Sequence, residues 1–142
     1  LNSTLFAVQL FVYIIAAISL AVGGIGIMNT MYTSVLERTK EIGVMKSIGA
    51  KNSAIFTIFF VESGLLGMVG GIIGIILGMA LAFGLSLAGR AFLGSDLIQA
   101  SISSWLVVGA LLFSFMLGTA FGMLPAYQAS KLNPVDSLRA AK

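Results

Sequence analysis

Long apolar runs without charge dominate the sequence, and a short charged segment separates the first two. No charged side chain occurs in residues 1–36, 63–89 or 97–130. About 20 apolar residues are enough to cross a bilayer, and within lipid a helix satisfies its own backbone donors and acceptors. The pattern therefore predicts an all-α membrane protein with three transmembrane helices. The expected spans are 5–35, 53–89 and 101–127.

The composition agrees with a membrane protein and argues against an enzyme. Hydrophobic residues make up 58% of the 142 residues and charged residues 9%, with a mean hydropathy of +1.07. Soluble domains carry roughly a quarter charged residues. Histidine and cysteine are absent, which removes the commonest general base, the commonest metal ligand and all thiol chemistry. We therefore expect no catalytic residue, no metal site and no cofactor.

Glycine-rich stretches provide no nucleotide-binding motif. "GGIG" at 23–26 and "GGIIG" at 70–74 both differ from the dinucleotide fingerprint GxGxxG and lie within predicted spans. A GxxxxGK[ST] phosphate loop does not occur. The basic residues are not interleaved with aromatic side chains, so we expect no nucleic-acid partner.

The basic residues indicate an orientation in the membrane. Arg38, Lys40, Lys46 and Lys51 follow the first span, and Lys131, Arg139 and Lys142 follow the third, whereas the second connection carries only Arg90 and Asp96. The positive-inside rule then predicts a cytoplasmic first connection, a cytoplasmic tail over 128–142 and an N-terminus outside. We expect a multi-pass protein of the plasma or inner membrane. Because the chain opens without methionine, we also expect it to be a piece of a longer polypeptide with an upstream helix.

The second predicted span carries a stripe of glycines. Gly64, Gly67, Gly71, Gly74 and Gly78 are separated by three or four residues and so share one helix face. Small residues let helix backbones approach closely in lipid, so we expect this stripe to be a packing face. Glycines of the first span are open to two interpretations, contact or simple tolerance, because glycine is frequent in membrane helices.

The segment "VLERTKEIGVMKSIGAK" at 35–51 gathers nearly half of the charged residues. Its charges are interspersed with Ile42, Met45 and Ile48, which predicts a short cytoplasmic helix over about 37–49 at the membrane surface. Gly43 is unfavourable within a helix and suggests close approach to a neighbour, while Gly49 is typical of a C-terminal cap. The alternative is a charged loop that fixes topology and contacts lipid headgroups.

Glu62 is a carboxylate at the start of the second span. An ionisable group in a membrane helix is a functional candidate, for example in a proton relay. Its position near the basic connection favours pairing with Lys51 or Lys46 instead.

Two long regions resemble the FtsX-like permease domain of type VII ABC transporters. They are "GIMNTMYTSVLERTKEIGVMKSIGAK" and "LPAYQASKLNPVDSLRAAK", and with the three spans the resemblance covers nearly all of 1–142 as a single domain. The pattern E-R-x-x-E-I-G-x-x-K-A-x-G-A is met at Glu37, Arg38, Glu41, Ile42, Gly43, Lys46, Gly49 and Ala50. The tail pattern is met at Pro125, Ala126, Ala129, Pro134 and Leu138. Ser47 replaces a usual alanine.

The resemblance implies that the short helix is a coupling helix, which sits in a groove of a separate cytoplasmic ABC ATPase. The coupling residues would be Glu37, Arg38, Glu41, Ile42, Gly43, Met45, Lys46, Ile48 and Gly49. It also implies a homodimer or a pair with a similar permease. The function would be transmission of ATP-driven motion across the membrane, for export or lipoprotein release. The alternative is a membrane scaffold that relays ATPase motion to an extracytoplasmic enzyme, as in division-type relatives.

Overall fold

The computed structural model describes residues 2–93 and 103–133, and within them the chain forms four α-helices. These are α1 (Asn2–Glu37), α2 (Thr39–Ser47), α3 (Asn52–Leu93) and α4 (Ser104–Ser130). The predicted all-α class is confirmed. Three helices are long and apolar enough to cross a membrane: Ser3–Glu37, Asn52–Gly89 and Ser104–Ser130. Asp96 and most of the predicted tail, including Arg139 and Lys142, lie outside the described residues.

The first and third helices are longer than a bilayer requires. α1 has 36 residues and α3 has 42, or about 54 Å and 63 Å at 1.5 Å per residue. The hydrocarbon core of a membrane is about 30 Å thick. Both helices must therefore tilt or extend beyond the membrane.

A compact turn joins α1 to α2. Arg38 is the one residue between them; its N–H donates to the Ser34 carbonyl at 3.1 Å, and its carbonyl accepts from Ile42 N–H at 3.0 Å. The backbone hydrogen bonding thus continues through the turn while the helix axis changes direction. α2 is consequently held close to the end of α1.

The end of α2 is a Schellman motif with glycine in the left-handed conformation. Gly49 has φ +101°, which L side chains rarely adopt. Gly49 N–H donates to the Lys46 carbonyl at 3.0 Å, and Ala50 N–H donates to the Met45 carbonyl at 2.9 Å. Met45 and Ala50 also pack against the same buried cluster, as this motif favours. The predicted C-terminal cap at Gly49 is confirmed.

The buried core lies at the end of the bundle where α2 is found, which we call the α2 end. It draws residues from all four helices: Met31, Val35, Ile42, Ile55, Phe59, Ala126 and Ala129. At the opposite end, residues 3–23 of α1 are all exposed within this chain. α1 therefore packs against the other helices near the α2 end and is left uncovered toward its N-terminal end.

α3 and α4 cross with their backbones in contact. A Cβ placed on Gly118 would lie 2.5 Å from the Ser63 carbonyl oxygen and 2.9 Å from Gly67 Cα. A Cβ on Gly67 would in turn meet the Ser114 carbonyl oxygen and lie 2.8 Å from Gly118 Cα. The two glycines thus permit an approach that any side chain would prevent.

The glycine stripe of α3 divides into two parts. Gly64 and Gly71 adjoin the Gly67 crossing and face α4, because added Cβ atoms would meet Phe115 and Ser114, respectively. At Gly74 and Gly78 an added Cβ would meet nothing within 4 Å. The first three glycines therefore pack within the chain, and the last two leave a surface uncovered.

Candidate functional site

α2 has one buried face and one exposed face. Ile42 is 0% exposed and Gly43 is also buried, whereas Ile48 is 82% exposed. Glu41 and Val44 are exposed too, and with Ile48 they are spaced three and four residues apart, so they share one side of the helix. We call Glu41, Val44 and Ile48 the exposed face of α2. A short polar helix is thus held by its inner side and presents a surface that mixes apolar residues with charges of both signs, because Lys40 is exposed as well.

The predicted coupling residues do not all lie on the exposed face. Ile42 and Gly43, expected to meet a partner, belong instead to the interior of this chain. The physical reason is that the ends of α1, α3 and α4 supply an apolar surface that a helix of this length covers with its inner side. Met45 is half-buried against the same core, and Glu37, Arg38, Glu41, Ile48 and Gly49 are exposed.

Lys46 also points inward. Its Nζ donates hydrogen bonds to the carbonyl oxygens of Ser130 and Leu132, each at 2.7 Å. Sequence reasoning assigned Lys46 to a partner but did not foresee these acceptors, which lie 84 and 86 residues away. The structure therefore connects α2 to the end of α4 through this side chain.

Glu62 is paired with Arg38, and not with Lys51 or Lys46 as expected from the sequence. Arg38 Nη1 and Glu62 Oε2 are 3.7 Å apart, and the Arg38 side chain is half exposed. Lys46 is held by the carbonyls of Ser130 and Leu132, and Arg38 at the turn lies beside Glu62 in the third helical turn of α3. A loose, partly exposed pair of this kind contributes little to stability.

We expect Glu62→Gln to change the free energy of unfolding by less than about 1 kcal/mol, because exposed ion pairs are screened by water. The ATP-coupled function that the resemblance implies should remain largely intact. The measurements are unfolding in detergent and permease-dependent ATP hydrolysis, with a double-mutant cycle that includes Arg38→Gln. Complete loss of function in a normally assembled Glu62→Gln complex would instead support a proton relay.

The described residues enclose an open apolar cavity, and no metal-binding group accompanies it among them. Within 2–93 and 103–133, no group of three or more acidic side chains could hold a metal ion. An open apolar cavity of about 580 Å³ is lined by residues of α1, α3 and α4. Its lining includes Ser19, Gly23, Gly70, Gly74 and Ser114, so most of its walls are small or apolar. Small lining residues of this kind are typical of a helix-packing surface.

Three apolar helices of spanning length, the first two of which are connected through the short polar helix α2, define a multi-pass membrane protein. Residues 13–134 match the family described as FtsX-like permease C-terminal. The chain belongs to this family, and the resemblance drawn from the two sequence motifs is confirmed.

Relatives of the chain are named as ABC transporter permeases. An uncharacterized ABC transporter permease of Methanocaldococcus jannaschii is 46% identical over 138 residues, covering 97% of this chain and 34% of that protein. The uncharacterized ABC transporter permease YknZ of Bacillus subtilis is 48% identical over 126 residues, covering 88% of this chain and 30% of that protein. The macrolide export ATP-binding/permease protein MacB of Haemophilus ducreyi is 49% identical over 140 residues, 97% of this chain and 19% of that protein.

The chain thus spans at most about a third of the length of these relatives. Their similarity defines it as part of an ABC transporter permease of the MacB and FtsX type. The two features that carry family motifs, α2 and the end of α4, lie together at the α2 end.

Proposed function

We propose that this chain receives motion from a cytoplasmic ABC ATPase through α2 and transmits it across the membrane. The observation that carries the proposal is the division of α2 into a face buried in the four-helix core and a face that the rest of the chain leaves exposed. A helix held in this way can be displaced only together with the core. α2 is accordingly the proposed coupling helix.

The exposed face of α2 has the chemistry of a protein docking surface. Ile48 and Val44 provide apolar area, and Glu41 with the neighbouring Glu37 provides charge at its margin. An apolar centre with a charged rim is typical of interfaces, and the charges help to set register and partner choice. The basic residues near α2 support a cytoplasmic location, where an ATPase would be found.

Close packing supports transmission from α2 into the spans. Met31 and Val35 of α1, Phe59 of α3 and Ala126 of α4 share the core with Ile42. Close-packed interiors are stiff and pass on strain. Backbone contact at Gly67 and Gly118 then extends this rigid unit into the membrane.

The proposal also includes pairing of the chain with a second permease and a role in export. The cavity between α1 and α3 and the uncovered glycines Gly74 and Gly78 leave apolar surface for further helices. Such surface supports pairing with a second copy or with a similar permease. The names of the macrolide export relatives favour export over a purely regulatory role.

Site-directed cross-linking tests the docking surface. The chain has no cysteine, so one introduced thiol is its single attachment point. In membranes holding the intact permease and its ATPase, a photoreactive thiol reagent at Ile48→Cys should capture the ATPase. Ile42→Cys is the matched control, since the same residue type is buried six positions earlier, and it should capture none. Absence of capture at Ile48 and Val44 in an assembled complex would refute the proposal.

A further inference from the structure

The Lys46 side chain donates a hydrogen bond to a backbone carbonyl at the C-terminal end of α4. The last four carbonyls of a helix lack partners within the helix. In α4, the Tyr127 carbonyl accepts a hydrogen bond from Ser130 Oγ–H at 2.7 Å. The Gln128 carbonyl accepts from Lys131 N–H at 3.0 Å, and the Ala129 carbonyl accepts from Leu132 N–H at 3.3 Å. The Ser130 carbonyl receives Lys46 Nζ at 2.7 Å. Of these four partners, Lys46 alone comes from another helix.

The ammonium group suits this position electrostatically. A helix C-terminus carries partial negative charge, and a cation there is favourable. Hydrogen bonds from a charged donor are stronger than those between neutral groups. Lys46 makes two, the second to the Leu132 carbonyl at 2.7 Å, just beyond the helix.

Lys46 differs from the other charged residues around α2. Glu37, Arg38, Lys40, Glu41 and Lys51 are exposed, whereas Lys46 is half-buried. Hydroxyl groups nearby bond locally, as when Thr39 donates to Val35 and Ser47 donates to Val44. The Lys46 bonds instead bridge parts of the chain more than 80 residues apart.

We propose that Lys46 is a positioning residue that joins α2 to the end of α4, so that the two move together. Its role is within the chain and not at the ATPase surface. The mechanical part of this inference rests on the proposed coupling function, whereas the link itself does not. Displacement of α2 is then passed directly to α4 as well as through the apolar core.

Distance measurement in the permease alone tests the link. Spin labels at Ser47→Cys and Gln128→Cys, both exposed, report the separation of α2 from the end of α4. With Lys46 unchanged, we expect one narrow distribution of the distance between the two labels. Lys46→Met, which keeps the aliphatic stem but removes the donors, should broaden it, and Lys46→Arg should narrow it again. Lys40→Met removes an exposed ammonium from the same helix and should leave it unchanged.

A second measurement uses the intact permease with its ATPase. Lys46→Met should retain cross-linking at Ile48→Cys yet reduce permease-dependent ATP hydrolysis by roughly tenfold, about the factor that one charge-assisted hydrogen bond contributes. Lys46→Arg should restore part of the permease-dependent ATP hydrolysis.

Each result has a distinct meaning. An unchanged distance distribution in Lys46→Met, or one equally broad in Lys40→Met, would overturn the link. Full ATP hydrolysis in Lys46→Met despite a broadened distribution would overturn its mechanical role. Loss of Ile48 cross-linking with Lys46 in place, together with the expected distance changes, would refute the proposed function and leave the link supported.

Discussion

Phe59→Ala should lower the free energy of unfolding by about 3 to 5 kcal/mol, because removal of a buried phenylalanine loses transfer energy and leaves a cavity. Phe59 is 2% exposed and is the largest fully enclosed side chain of the core shared by the four helices. Neighbours such as Ile42 and Ile55 are fixed by their own helices and cannot fill the space completely. The loss of stability should therefore loosen the packing of α2 as well as that of the three long helices.

Thiol labelling during detergent-induced unfolding measures this effect. Ser63 is 0% exposed in the seam between α3 and α4, so Ser63→Cys reacts when the helices separate. Phe113→Ala, which removes an exposed phenylalanine from α4, is the matched control and should change the midpoint little. Equal shifts for the two variants would show that the α2 end is not the stable core of the chain.

Gly67→Ala should lower the free energy of unfolding by about 1 to 3 kcal/mol, which is the usual range when a methyl group is added at a close contact. The new methyl group would meet the Ser114 carbonyl oxygen and lie 2.8 Å from Gly118 Cα. Both obstacles are backbone, so no rotamer change relieves them and α3 must move away from α4. The same Ser63→Cys assay reports this separation.

Gly74→Ala is the control for Gly67→Ala because its Cβ would meet nothing within 4 Å. It should be neutral or stabilise the helix by up to about 1 kcal/mol, since alanine is the better helix former. A double variant, Gly67→Ala with Gly118→Ala, should cost less than the sum of the single changes, because one separation accommodates both methyl groups. Equal stability of Gly67→Ala and Gly74→Ala would contradict the close crossing.

Local patterns were sufficient to predict the helices and one of their caps. Uninterrupted apolar runs specify spans because lipid requires internally satisfied backbones. Gly49 was predictable because its cap depends on hydrogen bonds to Met45 and Lys46, only a few residues away. α1 and α3 each extend beyond the predicted spans 5–35 and 53–89 at both ends, because a helix can continue past the membrane.

Contacts between distant segments were not predictable in the same way. Ile42 and Ile48 are the same residue type on one short helix, and only the positions of α1, α3 and α4 make the first buried and the second exposed. Gly67 and Gly74 likewise share a stripe, but Gly118 lies opposite only the first. The acceptors of Lys46 are more than 80 residues away, beyond the reach of any local pattern.

The Gly67–Gly118 crossing divides α3 unequally. Residue 67 lies 15 positions after the first residue of α3 and 26 before the last, or about 22 Å and 39 Å along the axis at 1.5 Å per residue. α3 is thus a lever whose fulcrum is nearer the α2 end. Under the proposed function, a rigid tilt of the packed helices about that crossing would move the far tip of α3 nearly twice as far as its end beside α2.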